Sequence, residues 1–184
     1  MANLTDHTYF KGDINLPASV LEGNYEVINA YISQYEPEVL KMLLGYDLYK
    51  ALKVQIDAET YSALWKAFIE GAEYTVDTDY KVKWNGLVNS EKKSFIAYYV
   101  FYQYMRDTVT STSGVGEVLN SAENATRIAA IDKMSYAYNR FVDLYGTLRD
   151  GSFIPSAYRY LYENEDSFDL WLFEPVTKVN SFGI

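Results

Sequence analysis

Apolar residues recur at helical spacing along most of this chain and at strand spacing over one short stretch. Near the start of the chain, the helical spacing predicts four helices, over about 24–35, 37–44, 47–56 and 58–70. Asn24 is a suitable N-cap for the first helix, Pro37 is tolerated in the first turn of the second, and Gly45 and Gly71 end the second and fourth. Residues 1–23 show no such spacing, and we interpret them as an irregular N-terminal arm.

After Gly71 the spacing changes to the strand period of two. Apolar residues alternate with polar ones on both sides of a short acidic turn, Asp77-Thr78-Asp79, and they are Tyr74, Val76, Tyr80, Val82 and Trp84. This alternation predicts a β-hairpin over about residues 73–85. A two-stranded hairpin is marginally stable by itself in water, so we expect this one to pack against other protein.

The second half of the chain is predicted to be built around one apolar helix, over about residues 90–108. Its middle, FIAYYVFYQYM, is apolar or aromatic nearly all round, which indicates a helix surrounded by protein. The stretch 109–121 is rich in Ser, Thr and Gly and predicts a flexible connection. A long helix over about 124–148 carries two adjacent apolar stripes, which either the chain's own core or a second subunit covers. A short helix over about 155–162 follows Gly151, and an extended C-terminal arm ends the chain.

These elements together predict a single, mainly α domain covering residues 1–184, a helical bundle with one hairpin and extended N- and C-terminal arms. Residues 24–150 form the helical core with its hairpin, and residues 151–184 form the C-terminal segment and arm. The most apolar stretch, Ser94 to Met105, is shorter than the roughly 20 residues that cross a bilayer. The first residues lack the apolar run of a signal peptide. We therefore expect a soluble protein made in the cytoplasm.

Composition favours a part of an assembly over an enzyme. The chain has 19 tyrosines, one histidine and no cysteine, and a tyrosine side chain gives a large contact area with a hydroxyl at its edge. The lack of cysteine excludes disulfides and thiolate metal sites. The net charge is −9, with no basic stripe that would bind nucleic acid through its phosphates. An acidic surface could still line a passage for DNA, because it would not hold the phosphates.

The candidate reactive residues are each better explained without chemistry. His7 has no reactive partner nearby in sequence, so an incidental surface histidine is favoured over a general base. Asp77 and Asp79 lack the glycine and distant glutamate of a calcium loop, which favours a solvated turn. Gly114 and Gly116 follow a helix and not a strand, unlike the glycines of a dinucleotide site. We predict no catalytic, cofactor-binding or metal-binding residues and no enzymatic activity.

A family resemblance is carried by six features that follow one another along the chain: VLKMLLGYDLYKAL (39–52), Trp65, the turn Trp84-Asn85-Gly86-Leu87, the helix KKSFIAYYVFYQYMRDT, the loop STSGVGEV and the helix start Glu123-Asn124-Ala125. Together they resemble the head–tail connector proteins of tailed bacteriophages, also called adaptor or head-completion proteins, especially those of phages that infect Bacteroidetes. The resemblance covers about residues 25–148 and rests on packing and turn signatures.

The resemblance implies a structural subunit of the virion neck. Proteins of this family are mainly helical and assemble as a ring, here expected to be dodecameric, beneath the portal protein, where they extend the DNA channel and dock the tail. The implied partners are other copies of the chain, the portal protein and tail or stopper proteins, while DNA passes through without sequence-specific binding. Two alternatives remain: a small helical binding or regulatory protein acting as monomer or dimer, and a small hydrolase using carboxylates.

Two segments are predicted to join subunits. One is the hairpin with its apolar residues, and the other is the C-terminal arm, whose apolar residues lie beyond any element that could bury them locally: Val176, Val179, Phe182 and Ile184. We expect both segments to pack against a neighbouring subunit or against the portal and tail proteins. The alternative is that both fold back on the chain's own core.

Overall fold

The fold is mainly helical. The computed structural model describes residues 3–16, 25–76, 80–113, 116–119, 127–146, 156–172 and 176–179. Its helices are α1 (Tyr25–Leu44), α2 (Tyr46–Ala58), α3 (Ala63–Glu70), α4 (Phe95–Val109), α5 (Arg127–Tyr145) and α6 (Ala157–Glu163). Its strands form two antiparallel hairpins, β1 with β2 and β3 with β4, over Ala72–Val76, Tyr80–Trp84, Thr110–Ser113 and Gly116–Leu119. The prediction of a mainly helical protein with a hairpin near residues 73–85 is confirmed.

Helix α4 lies at the centre of the core, as its apolar middle predicts. It packs between α1 and α5, and residues 95–101 are all buried. The helix begins at Phe95 and not near Ser90, because Asn89 closes a turn ahead of it. The Asn89 side chain accepts a hydrogen bond from the backbone N–H of Lys93 (3.1 Å) and donates one to the Lys93 carbonyl (2.6 Å). None of the helices in the described ranges combines the length and the hydrophobicity needed to cross a bilayer.

Two further differences from the predicted helices lie in the first half of the chain. The helices predicted on either side of Pro37 are one continuous helix, α1, with the proline inside it. Proline removes one backbone hydrogen bond, but the apolar residues before and after it face the same core, and their burial outweighs that loss: Ile28, Ile32, Val39, Leu40 and Leu43. The helix predicted from residue 58 begins at Ala63, because Glu59 ends α2 in a left-handed conformation (φ 52°).

The described N-terminal residues 3–16 fold onto this chain's own helices, which corrects the expectation of an irregular arm. They form two short 3₁₀ turns, His7–Tyr9 and Gly12–Ile14. Their apolar side chains are buried in the main core and are Tyr9, Phe10, Ile14 and Leu16. Burying four large side chains gives this segment a stabilisation of several kcal/mol, about 2 kcal/mol for each, which holds it in place without a neighbouring subunit.

The stretch predicted to be a flexible connection contains the second hairpin. Thr110 pairs with Leu119 and Ser113 pairs with Gly116 in an antiparallel register. Threonine is favoured in strands, and Thr110 and Thr112 lie in β3, so this preference outweighs the effect of the nearby glycines. Helix α5, which follows, ends at Tyr145 and not near residue 148, because Gly146 has φ +102° and closes the helix ahead of Gly151.

Candidate interaction surfaces

Tyrosine hydroxyls inside this chain serve as partners for carboxylates. The hydrogen bonds run from Tyr35 to Asp107, from Tyr74 to Glu163, from Tyr98 and Tyr136 to Asp13, and from Tyr99 to Glu38, with donor–acceptor distances of 2.5 to 3.1 Å. Acidic residues outnumber basic ones 25 to 16, so cations are too few to pair with every carboxylate. A tyrosine hydroxyl can donate a hydrogen bond to a carboxylate in place of a cation, and it carries no charge. Part of the tyrosine content is therefore explained by contacts within the chain.

Asp13 joins the N-terminal segment to both central helices. Its Oδ2 accepts from the Tyr98 hydroxyl on α4 (2.7 Å) and from the Tyr136 hydroxyl on α5 (2.9 Å). Partial burial acts to raise the pKa of the Asp13 carboxyl, but the two tyrosine hydrogen bonds and the nearby Arg140 outweigh it, so the pKa is lowered. Desolvation and the negative charge of Asp13 together raise the pKa of Tyr98 well above its ordinary value, so Tyr98 remains a hydrogen-bond donor.

We expect Tyr98→Phe to destabilise the protein by about 1 kcal/mol, because it removes a hydrogen bond from a buried phenol to a charged group. Tyr136→Phe is the matched control: it removes a bond to the same oxygen, but Tyr136 is 46% exposed, and water replaces the lost donor. Its cost should stay below about 0.5 kcal/mol. Urea denaturation measures both. Equal losses in the two variants would contradict this account.

The pH dependence of that difference follows from the lowered pKa of Asp13. A lowered carboxyl pKa contributes stability above the unfolded pKa of about 3.9, and this contribution is lost as the pH falls through the folded pKa. Tyr98→Phe removes one of the hydrogen bonds that lower the pKa of Asp13, so this pKa is lowered less in the variant. The stability gap between wild type and variant should therefore narrow as the pH is taken below about 4.

Glu36 is a buried carboxylate that binds the start of the chain. Its two oxygens accept hydrogen bonds from the backbone N–H of Leu4 (2.6 Å), the backbone N–H of Thr5 (2.9 Å) and the Thr5 hydroxyl (2.7 Å). Desolvation raises the pKa of the Glu36 carboxyl even though these hydrogen bonds act in the opposite direction. The position carries no sequence motif, and its only signal was an acidic residue next to a proline inside an apolar helical stripe.

The hairpin β1–β2 packs its inner face against its own chain. The Trp84 ring lies 5.6 Å from the Tyr160 ring on α6, and its Nε1 donates to the Phe68 carbonyl at 2.9 Å. The Tyr74 ring meets Tyr160 edge to face at 5.2 Å. Val82 and Trp84 are buried, Tyr74 and Val76 are half-buried, and Tyr80 is 50% exposed. Of the five predicted hairpin contact residues, the structure leaves Tyr80 the most accessible to another protein.

The described part of the C-terminal arm also contacts its own chain. Val176 is buried in the main core. Val179 exchanges two backbone hydrogen bonds with the side chain of Asn139 on α5, at 2.7 and 2.8 Å. The premise that no local element could bury these residues is therefore corrected, because α5 and the core lie within their reach. Phe182 and Ile184 lie outside the described residues.

Four exposed apolar side chains lie at the start of α2 and in or after α6, and we call them the aromatic patch: Tyr46, Tyr162, Leu170 and Leu172. Tyr46, Leu172 and Tyr162 are 67%, 65% and 58% exposed. Leu172 packs over Gly45, where its Cβ lies 3.2 Å from the position that a glycine Cβ would take. The patch is continuous through two half-buried rings, because Tyr158 lies 6.0 Å from Tyr162 and 5.3 Å from Trp171. Contiguous exposed apolar surface is where protein contacts are commonly found, so the patch is a candidate interaction surface.

A mixed-charge cleft lies between the base of the hairpin, the start of α4 and helix α5. It has a volume of about 600 Å³, and its charged lining residues are Glu70, Glu73, Lys83, Glu91, Lys93, Arg140 and Asp143. Asp143 is already paired with Lys178 (2.6 Å) and approaches Arg140 (3.8 Å). Four acidic and three basic side chains therefore line the cleft, and neither sign of charge dominates it.

The candidate reactive residues of the sequence form no common site among the residues that the structure describes. The His7 ring stacks on the Tyr25 ring, with 3.9 Å between centroids. Asp77, Asp79 and Gly114 lie outside the described residues, and Gly116 begins β4. In the part of the chain that the structure describes, no three His, Asp or Glu side chains are grouped so that they could hold a metal ion. The absence of a catalytic, cofactor or metal site stays a prediction.

No family model, curated protein or solved structure matches this chain.

Proposed function

We propose that this chain is a structural subunit of the neck of a tailed-phage virion, which forms a ring beneath the portal protein, extends the DNA channel and docks the tail. The observation that carries the proposal is the aromatic patch. Leu172 packs over Gly45, and the Tyr162 ring lies against the Tyr158 ring. More than half of the surface of Tyr46, Tyr162 and Leu172 nevertheless faces solvent. A subunit of an assembly needs such a surface, because covering it with a partner removes apolar area from water.

The residues behind the family resemblance support the proposal through the fold. The stretch 39–52 supplies buried leucines at the end of α1 and along α2, namely Leu40, Leu43, Leu44, Leu48 and Leu52. The turn 84–87 lies against the end of α3, where Val88 donates a backbone hydrogen bond to the Ile69 carbonyl at 2.9 Å. The residues behind the resemblance are therefore packing and turn residues that build this fold.

The charge of the chain supports the role in a DNA channel. A protein with a net charge of −9 repels phosphates on average, so DNA would slide past it and not be held. Partners of the ring would be the portal protein on one side and tail or stopper proteins on the other, with the protein located at the head–tail interface of the virion.

The test is the mass of the protein alone and together with a co-expressed portal protein from the same genome. Native mass spectrometry of the full chain, alone and co-expressed with that portal protein, should show a large discrete oligomer or a portal–ring complex. A chain that stays monomeric or dimeric in both samples would overturn the proposal and favour a small helical binding or regulatory protein. Incorporation into purified particles is the second readout.

A further inference from the structure

The turn after β2 contains the only asparagine of this chain that is followed by glycine, Asn85-Gly86. Asn85 is exposed and Gly86 is buried. Because glycine has no Cβ, its backbone nitrogen is less shielded than that of any other residue and can attack the side-chain amide carbon of the asparagine before it. In an unfolded chain, the Asn85 amide is therefore the one most prone to this reaction.

The reaction is a hydrolysis that needs only water. The Gly86 nitrogen loses its proton and forms a bond to Cγ of Asn85, and the side-chain nitrogen leaves as ammonia, which gives a five-membered succinimide ring. Water then adds to a carbonyl of the ring and opens it to aspartate or to isoaspartate. In isoaspartate the backbone runs through Cβ and Cγ, so it contains an additional carbon atom.

The fold fixes the backbone on both sides of this step. Trp84 pairs with Ala72 in the hairpin, and its Nε1 donates a hydrogen bond to the Phe68 carbonyl at 2.9 Å. On the other side, the backbone N–H of Val88 donates to the Ile69 carbonyl at 2.9 Å. The turn is therefore attached to the end of α3 and the start of β1 both before and after the reactive step.

The reactive step itself lies directly against the backbone at the end of α3. A Cβ added to Gly71 would lie 2.8 Å from the carbonyl carbon of Asn85, and a Cβ added to Gly86 would lie 2.5 Å from the carbonyl carbon of Glu70. Ring closure draws the Gly86 nitrogen out of this packed position toward Cγ of Asn85. The close packing opposes that movement, so the turn must first separate from α3.

We infer that Asn85 is a deamidation site that the closed turn protects and that reacts when the turn opens. The Asn85 side chain is exposed, so the backbone at Gly86 controls the rate. A turn with no space for a Cβ at Gly86 also has no space for an additional backbone carbon. Isoaspartate formation therefore prevents the turn from closing again and removes opened chains from the folded population. The inference is independent of the proposed function.

The rate of deamidation in the full chain tests this inference. The protein and a synthetic peptide of residues 84–92 are incubated in the same mildly alkaline buffer, and trypsin then releases that peptide from the protein. Mass spectrometry with fragmentation locates the acid and distinguishes isoaspartate from aspartate. We expect Asn85 to react at least roughly tenfold more slowly in the folded protein than in the free peptide, because only the opened turn reacts.

Two controls separate this chemistry from general degradation. Asn89 lies in the same peptide, but Ser90 follows it, and both polar atoms of its amide bond the backbone of Lys93, at 2.6 and 3.1 Å. Asn89 should stay largely unmodified. The variant Asn85→Gln keeps an exposed amide, but its longer side chain cannot form the five-membered ring. It should fold like wild type by circular dichroism and accumulate far less acid at this position.

Gly71→Ala tests the role of the packing. Its Cβ would lie 2.5 Å from the carbonyl oxygen of Trp84, so the turn cannot stay closed against α3. We expect Asn85 to react severalfold faster in this variant than in wild type, and as fast as in the free peptide if the variant does not fold.

Three outcomes would overturn the inference. The first is a folded wild-type protein that reacts as fast as the free peptide, and the second is a Gly71→Ala variant that reacts no faster than wild type. The third concerns the modified protein: chains with isoaspartate at position 85, separated by chromatography, should show a smaller folded fraction than unmodified chains. If they are equally folded, the turn closes despite the additional carbon.

Discussion

Gly86→Ala should lower the free energy of unfolding by roughly 4 kcal/mol or more, a large fraction of the about 5 to 15 kcal/mol by which an ordinary domain is stable. Gly86 has φ +83°, and an added Cβ would lie 2.5 Å from the carbonyl carbon of Glu70 and 2.6 Å from both the backbone nitrogen of Gly71 and the carbonyl oxygen of Ile69. All three are backbone atoms, so no side chain can rotate to make room. The turn after β2 must therefore separate from the end of α3.

Gly12→Ala is the matched control for this effect. Gly12 also has a positive φ, +66°, but an added Cβ would meet no atom within 4 Å. Its replacement costs only the backbone strain of a non-glycine residue in the left-handed region, about 1 to 2 kcal/mol. Urea denaturation of the wild type and both variants distinguishes the backbone strain that both positions share from the steric clash that occurs only at Gly86. Equal losses in both variants would show that the close backbone approach at Gly86 does not exist.

Glu36→Ala should cost about 3 kcal/mol and release the N-terminal segment from α1. The substitution leaves the backbone N–H groups of Leu4 and Thr5 without their acceptor, and each buried unpaired donor costs about 1 to 3 kcal/mol. Hydrogen–deuterium exchange should rise across residues 3–16. Thr5→Val, which removes one hydroxyl donor and keeps both backbone bonds, should cost only about 1 kcal/mol. The exposed Glu91→Ala should lie within about 0.5 kcal/mol of wild type.

The cost of Glu36→Ala should depend on pH. Because the pKa of Glu36 is raised on folding, the folded state binds more protons than the unfolded state between the ordinary glutamate pKa and the raised one. Wild-type stability from this group therefore falls as the pH rises through that window. The variant lacks the group, so its deficit should be largest near pH 4 and smaller at pH 7. Asp6 and Asp13 lie in the released segment and their pKa values are lowered, but the stability they contribute changes mainly below the ordinary aspartate pKa of about 3.9 and is nearly constant through this window. A deficit that grows toward neutral pH would contradict the raised pKa.

The number of tyrosines predicts many contacts, but it does not predict which tyrosines lie on the candidate surfaces. Their number indicated a protein rich in contacts, and Tyr46 and Tyr162 on the aromatic patch agree with that interpretation. Tyr98 and Tyr99 instead hold carboxylates inside the chain. A tyrosine on α4 looks the same in sequence whether its hydroxyl meets an acid or water, because the acid that meets Tyr98 is 85 positions away.

The patch itself had no sequence signal. Leu172 lies after the last predicted helix, and Tyr46 begins α2 directly after a glycine. Leu172 lies over Gly45, the residue before Tyr46, because Gly45 has no side chain and the segment after α6 crosses it. The predicted contact residues are apolar, and apolar residues are also the ones most often buried in a protein's own core. Trp84 and Val176 are buried in this way.

The sequence by itself determined the helices, the hairpin β1–β2 and the central position of α4, because helical and strand periods are properties of neighbouring residues and an apolar circumference requires burial. Only the tertiary structure decided that α1 continues through Pro37, that residues 3–16 dock on Glu36, and which apolar residues remain exposed. Each of these features depends on the free energy gained when segments that are distant in sequence pack together. The spacing of apolar residues within one segment does not show which other segment it packs against.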